Sequence, residues 1–215
     1  MSTPNKIAIL VPDGAYPLVL GEILKRNRSL GIRVVAHDFI KDALRDSSPE
    51  SAELLRPSQR ECTHALIVRD LHGSGWETKG AAALEEHLRS QLQDSGWPPE
   101  RSDALVVDPE IEAWLRFDSA HFQDMLRDRA RRRRDEDLLL KPVIEEIIAS
   151  QGGFNQWGKP LNPKESFEEA LRTFGIQRSN ALYQHLASRE SLKNCVIPSF
   201  NQLVSILQNW FPLES

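Results

Sequence analysis

The sequence predicts an α/β protein with a mostly parallel central sheet flanked by helices, followed by a helical carboxyl-terminal extension. Short apolar runs at 7–11, 32–39, 65–70 and 104–108 have the length and β-branched content of strands buried on both faces. Between them lie helical stripes, Leu18, Val19, Ile23 and Leu24 within 16–27, and Ala81, Leu84, Leu88 and Leu92 within 78–94. From residue 118 onward only helical patterns follow. Strand and helix in alternation give a parallel sheet with helices on both faces.

Each element has its own boundary signals. The first run is bracketed by Lys6 and the turn Pro12-Asp13-Gly14, and Gly31 ends the helical stretch before the second strand. Residues 40–62 are polar and interrupted by Pro49 and Pro57, which predicts one irregular helix and a surface connection. The third run passes through Arg69 into Asp70 and the glycine-bearing turn Leu71-His72-Gly73-Ser74-Gly75, and Gly96 closes the helix after it. Residues 109–115 read as a helix opened by Pro109. Further helices are predicted over 121–134 and 138–150, then a glycine-rich loop over 151–158. Asn162-Pro163-Lys164-Glu165 has the form of a capping box ahead of Phe167, Ala170, Leu171 and Phe174. A last helix opens at Ser199 and buries Leu203, Ile206, Leu207 and Trp210. The chain divides into an α/β core over 1–117 and a helical extension over 118–215 packed on it.

The 215 residues can bury a substantial core, and a net charge of -4 argues against general coating of nucleic acid while leaving room for a local basic surface. Cys62 and Cys195 stand far apart without metal-ligand or redox spacing, which fits thiols in a reducing cytoplasm. No run is long enough for a membrane span, so the expected location is cytoplasmic, with no membrane partner.

Carboxylates stand at the ends of three predicted strands: Asp13 after the first, Asp70 after the third, and Asp108, Glu110 and Glu112 after the fourth. Parallel strands bring these ends to one edge, where oxygen ligands suit magnesium or manganese. The competing reading is turn chemistry for the aspartates and helix-terminus stabilisation for the glutamates. His72, two residues after Asp70, can take a transition metal or move a proton, but is a poorer magnesium ligand than a carboxylate. Arg131, Arg132 and Arg133 lie in a dense basic run, which reads as a phosphate-attracting surface or, with Asp135-Glu136-Asp137 following, as a self-neutralising helix face. Lys159 and Lys164, near a glycine loop and a helix N-terminus, form a second candidate anion site, and Trp157 is a candidate for stacking or for anchoring the loop.

Taken together, Ile-Leu-Val-Pro-Asp13-Gly14, Val-Arg-Asp70-Leu-His72, Pro109-Glu110-Ile-Glu112-Ala-Trp114 and Asn162-Pro163-Lys164-Glu165 resemble the Toprim-like family of small bacterial proteins found in defence gene clusters. The resemblance runs over most of the chain. Toprim domains use a glutamate after the first strand as general acid/base, and an Asp-x-Asp pair after the third to hold magnesium during phosphodiester chemistry. Carried over, the glutamate position falls on Asp13, the first metal aspartate on Asp70 and the second on His72. Asp13 is one methylene shorter than the family residue, and His72 removes a hard anionic ligand. The resemblance implies a component of an anti-phage defence system acting on or sensing nucleic acid, alongside other defence-system proteins. Its site would be degenerate, with Asp13, Asp70, Glu110 and Glu112 catalytic, and a magnesium or manganese ion on Asp13, Asp70, His72 and Glu110. The alternative is a non-catalytic protein-interaction subunit of a defence complex.

Overall fold

The computed structural model describes residues 5–42, 51–115, 119–132, 140–156, 158–189 and 195–213, with backbone alone at 120 and 129–132. Strands β1 (Lys6–Val11), β2 (Ala36–Lys41), β3 (His64–Asp70) and β4 (Ser102–Val107) form one parallel sheet in the order β2-β1-β3-β4. Ile9 lies opposite Phe39 on one side and Leu66 on the other, and Ile67 lies opposite Ala104. The α/β class expected from the alternation is the class observed, and it is consistent with a Toprim-like fold.

Strand order determines where a ligand can sit. Helix α1 (Ala15–Leu24) and the single turn α2 (Asn27–Leu30) carry the chain from β1 outward to β2. The chain then returns past β1, through the 3-10 helix Ser51–Arg60, to β3, and α3 (Ala81–Asp94) leads on to β4. Successive connections thus leave in opposite directions at the β1/β3 boundary, and their helices cover opposite faces. That reversal opens a crevice at the carboxyl ends of β1 and β3.

The period of two along each strand sorts side chains into two cores. Ile7, Ile9, Leu66, Val68, Leu105 and Val107 face α1, whose Tyr16, Val19, Leu20 and Ile23 are buried against them. Ala8, Leu10, Ala65, Ile67, Ala104 and Val106 face Leu84, Leu88 and Leu92 of α3. Helices α4 (Ala120–Arg132), α5 (Leu140–Ser150), α6 (Pro163–Thr173), α7 (Asn180–Arg189) and α8 (Pro198–Trp210) all join the α1 side. The apolar cluster therefore runs unbroken from the strands into the carboxyl-terminal helices, with Phe167 ring centroids 5.9 Å from Phe122 and 5.4 Å from Tyr183. Among the described residues no helix is long and apolar enough to cross a membrane.

Several boundaries differ from the sequence expectation for identifiable reasons. The run assigned to the second strand begins at Ile32, but Ile32 bridges Pro212 in antiparallel fashion and Arg33 N–H donates to Phe211 O at 3.1 Å, so β2 starts only at Ala36. Residues 109–115 do not form an α-helix: a single 3-10 turn spans Ile111–Trp114. Every residue from Glu110 to Leu115 is buried, so the segment is an embedded turn rather than an amphipathic helix with a wet face. Asn162 precedes α6, but its amide donates to Gln151 O at 2.8 Å instead of capping the helix. Helix α8 opens at Pro198, and the Ser199 hydroxyl accepts the Trp114 indole N–H at 3.1 Å. Helix α7 was not anticipated; its buried pairs Leu182-Tyr183 and Leu186-Ala187 are separated by polar Gln184 and His185.

Two buried polar groups tie the sheet to its surroundings. Arg69 and Asp42, 3% and 1% exposed, form an ion pair, and Arg69 also donates to Ser51 Oγ at 2.8 Å. The outer edge of β4 is closed by Glu85 of α3, whose Oε1 accepts Val106 N–H at 3.0 Å and the Gln202 amide at 2.9 Å. Arg89 bridges Glu85 Oε2 at 3.2 Å and Asp103 Oδ1 at 2.7 Å. Substituting Glu85→Ala strips a buried backbone donor of its acceptor, and should lower the unfolding free energy by about 1–3 kcal/mol in urea titrations. Glu85→Gln, which keeps an acceptor oxygen, should lose less; equal losses from the two substitutions would contradict this assignment.

Candidate functional site

The carboxyl ends of β1, β3 and β4 converge on a groove of about 500 Å³ lined by Pro12, Asp13, Asp70, His72, Gly73, Glu110, Lys164, Glu165 and Arg178. Asp13 sits in the turn after β1, where its Oδ1 accepts Ala15 N–H at 2.8 Å and so fixes the start of α1. At the second position of that helix Tyr16 is fully buried, and its hydroxyl donates to Asp70 Oδ1 at the end of β3. The loop after β3 is tied to the end of β4 by Leu71 N–H to Val107 O at 2.9 Å and His72 N–H to Pro109 O at 3.3 Å. These bonds bring His72 Nδ1 to 3.5 Å from Glu110 Oε1.

Burial pushes the Asp70 carboxyl up to about 8; the Tyr16 hydrogen bond opposes the shift, while Glu112, Asp13 and Glu110 add to it. Tyr16 itself is raised well above the ordinary tyrosine range, by burial first and then by the Asp70 charge. Glu110 is 7% exposed and its acidity is weakened by burial, against the pull of Lys164, whose Nζ is 3.9 Å from Oε1. Its other oxygen, Oε2, is buried without a hydrogen-bond partner among the described residues. A buried acceptor left unpaired on a groove wall is a donor-seeking or cation-seeking group.

Glu112 behaves differently from its neighbour. It is 3% exposed and does not line the groove; its Oε1 accepts the Tyr183 hydroxyl at 2.6 Å and lies 3.8 Å from Arg178. The 3-10 turn separates the two glutamates that spacing alone had paired as site carboxylates, turning Glu110 to the groove and Glu112 to the helical half. Asp108 is exposed and is not among the groove-lining residues.

Of the candidate anion-binding residues whose side chains are described, Lys164 lines this groove. Lys159 lines a separate cavity of about 180 Å³ with Lys141, Ile144, Ile148 and Phe154, so the two lysines do not form one site. The side chains of Arg131, Arg132 and Arg133, and Trp157 as a whole, lie outside the described residues. Tyr16, Arg178 and Tyr183 were not singled out from sequence as site residues, and Glu165 reads there as part of a capping box and of the family motif. Tyr16 had a local signal, three residues after Asp13 at the start of a helix, whereas Arg178 lies in a connection with no pattern of its own.

Among the described residues no group of three or more His, Cys, Asp or Glu side chains is disposed to hold a metal ion. The set His72, Asp13, Asp70 and Glu110 therefore does not form a preassembled cage. What remains compatible is a hard cation on one or two carboxylates, with water and substrate phosphate completing its coordination, and the orphaned Glu110 oxygen fits that donor set. Comparison with protein-family models, characterised proteins and solved structures finds no match to this chain. The class that fold and site define is a parallel α/β protein with a carboxylate-rich groove at its topological switch point.

Proposed function

We propose that this groove carries Toprim-like, divalent-cation-dependent phosphodiester chemistry on nucleic acid, in a weakened form. The observation that supports the reading best is the meeting of Asp13, Asp70 and Glu110 on one groove wall, with a buried Glu110 oxygen unpartnered. Asp70 and Glu110 would hold magnesium or manganese; when bound, such an ion polarises a phosphoryl oxygen and acidifies water. Tyr16 orients Asp70 by holding Oδ1, which leaves the second oxygen for the groove. Asp13 occupies the acid/base position, with Oδ1 committed to Ala15 N–H and Oδ2 for proton exchange. His72 beside Glu110 substitutes an imidazole for a hard anionic ligand, which favours manganese over magnesium. A role within a bacterial defence system, with other proteins of that system as partners, rests on the motif resemblance.

The test is a cleavage assay of the purified protein on single- and double-stranded DNA and RNA with magnesium or manganese, beside Asp70→Ala. Slow cleavage, faster with manganese and lost in the variant, is expected. Cleavage that survives chelation or the Asp70 substitution would overturn the assignment, and absence of both cleavage and cation binding would favour the non-catalytic interaction subunit.

A further inference from the structure

The groove has a second wall, made by the helical half. Lys164, in the first turn of α6, and Arg178, between α6 and α7, face the strand-end carboxylates across it. Arg178 is held from several sides: it pairs with Glu168 of α6, lies 3.8 Å from buried Glu112, and stands 5.3 Å from the centroid of the Tyr183 ring. Tyr183 in turn donates to Glu112 at 2.6 Å. A guanidinium restrained in this way loses little freedom when it binds, and its planar fork suits phosphate oxygens. The Lys164 side chain is 42% exposed and its one ion-pair partner among the described residues is Glu110, at 3.9 Å, so its ammonium is available to a ligand.

We propose that Arg178 and Lys164 form a phosphate seat, with Glu112 and Tyr183 as positioning residues for Arg178, so that the helical half supplies the anion-binding wall of the site. This rests on the reading of the groove as a phosphodiester site and names the residues that would receive the phosphate. Asp13, Asp70, Glu110 and Glu165 outnumber the two fixed cations, so a phosphate enters most readily together with a divalent ion on the opposite wall. Phosphate and cation should therefore bind cooperatively, each raising the affinity for the other by the same factor. The shared ligand chemistry is a phosphate ester, carried by a nucleic-acid backbone or by a free nucleotide.

The experiment measures binding of a short oligothymidylate and of ADP, each with manganese and with EDTA, to the full chain and to Arg178→Gln, Lys164→Gln and Tyr183→Phe. Manganese should tighten binding, and the Arg178 and Lys164 substitutions should each weaken it about tenfold or more, the scale of losing one hydrogen bond to a charged group. Manganese binding measured without either probe should not fall in those two variants. Lys164→Gln, on an exposed helix turn, keeps the test valid if Arg178→Gln unfolds. Tyr183→Phe should weaken probe binding without removing any groove-lining group. Preference for the oligonucleotide identifies a nucleic-acid backbone as the source and preference for ADP a free nucleotide; either supports the seat. Wild-type protein that binds neither probe, or variants that bind as the wild type does, would overturn it. Probe binding that depends on Arg178 but not on manganese would leave the seat standing and remove the metal reading.

Discussion

Asp42→Ala should lower the unfolding free energy by about 3–5 kcal/mol, the usual cost of leaving one partner of a buried ion pair uncompensated. Arg69 is 3% exposed inside the sheet, and Asp42 at the end of β2 is its charged partner, with Ser51 accepting a further bond at 2.8 Å. Asp42 is itself anchored to β1 through its N–H on Val11 O at 2.9 Å, so the pair fastens the edge strand to the two central ones. Replacing both members together, Asp42→Leu with Arg69→Met, should recover most of the loss, because a packed apolar pair needs no charge compensation. Urea unfolding of the two singles and the double measures this. A loss below about 1 kcal/mol for Asp42→Ala, the scale of an exposed pair, would contradict the buried assignment.

Asp70→Asn should separate function from stability in opposite directions. Cation binding and cleavage should be lost, because the carboxylate is the proposed ligand. Stability should instead exceed that of the wild type increasingly as pH rises from about 4 to about 8. The Asp70 carboxyl is moved by burial from its ordinary 3.8 to about 8 in the folded chain, so between those values the native state holds a proton that the unfolded state has released. Wild-type stability must therefore fall as pH rises across that window, by up to about 1.4 kcal/mol per pH unit from this group. Above about 8 the folded chain carries the ionised, desolvated carboxylate in full. The asparagine variant lacks that slope, so the stabilities of the two proteins should nearly coincide below about pH 4 and diverge in favour of the variant as pH rises from there to about 8. The same proton competes with a cation, so manganese affinity of the wild type should increase as pH approaches 8. Parallel pH profiles for wild type and variant would rule out this account of Asp70.

The sheet was legible because burial on both faces writes strands as continuous apolar runs, and Asp13 and Asp70 were legible because each stands where such a run stops. The partners of these residues were not. Tyr16 and Asp70 are 54 residues apart, and Tyr183 and Glu112 are 71 apart; docking of helices on the sheet joins them, and no local spacing encodes that docking. Glu110 and Glu112 looked equivalent because their two-residue spacing says nothing of the turn between them, whose 3-10 geometry gives one carboxylate to the groove and the other to Arg178. The capping-box pattern at Asn162 correctly marked a helix start, while tertiary competition gave its side chain to Gln151.

The mixed parentage of the groove also orders its assembly in time. On a ribosome the strands and their carboxylates emerge first, but one face of the sheet is covered by α1 alone until the later helices have been made. Glu85 at the β4 edge waits for Gln202, which follows it by 117 residues, and Trp114 waits for Ser199, 85 residues on. Contacts this distant in sequence close late. A nascent chain therefore carries the strand-end carboxylates of the groove before Lys164 and Arg178 have been made, and the proposed phosphate seat is completed late.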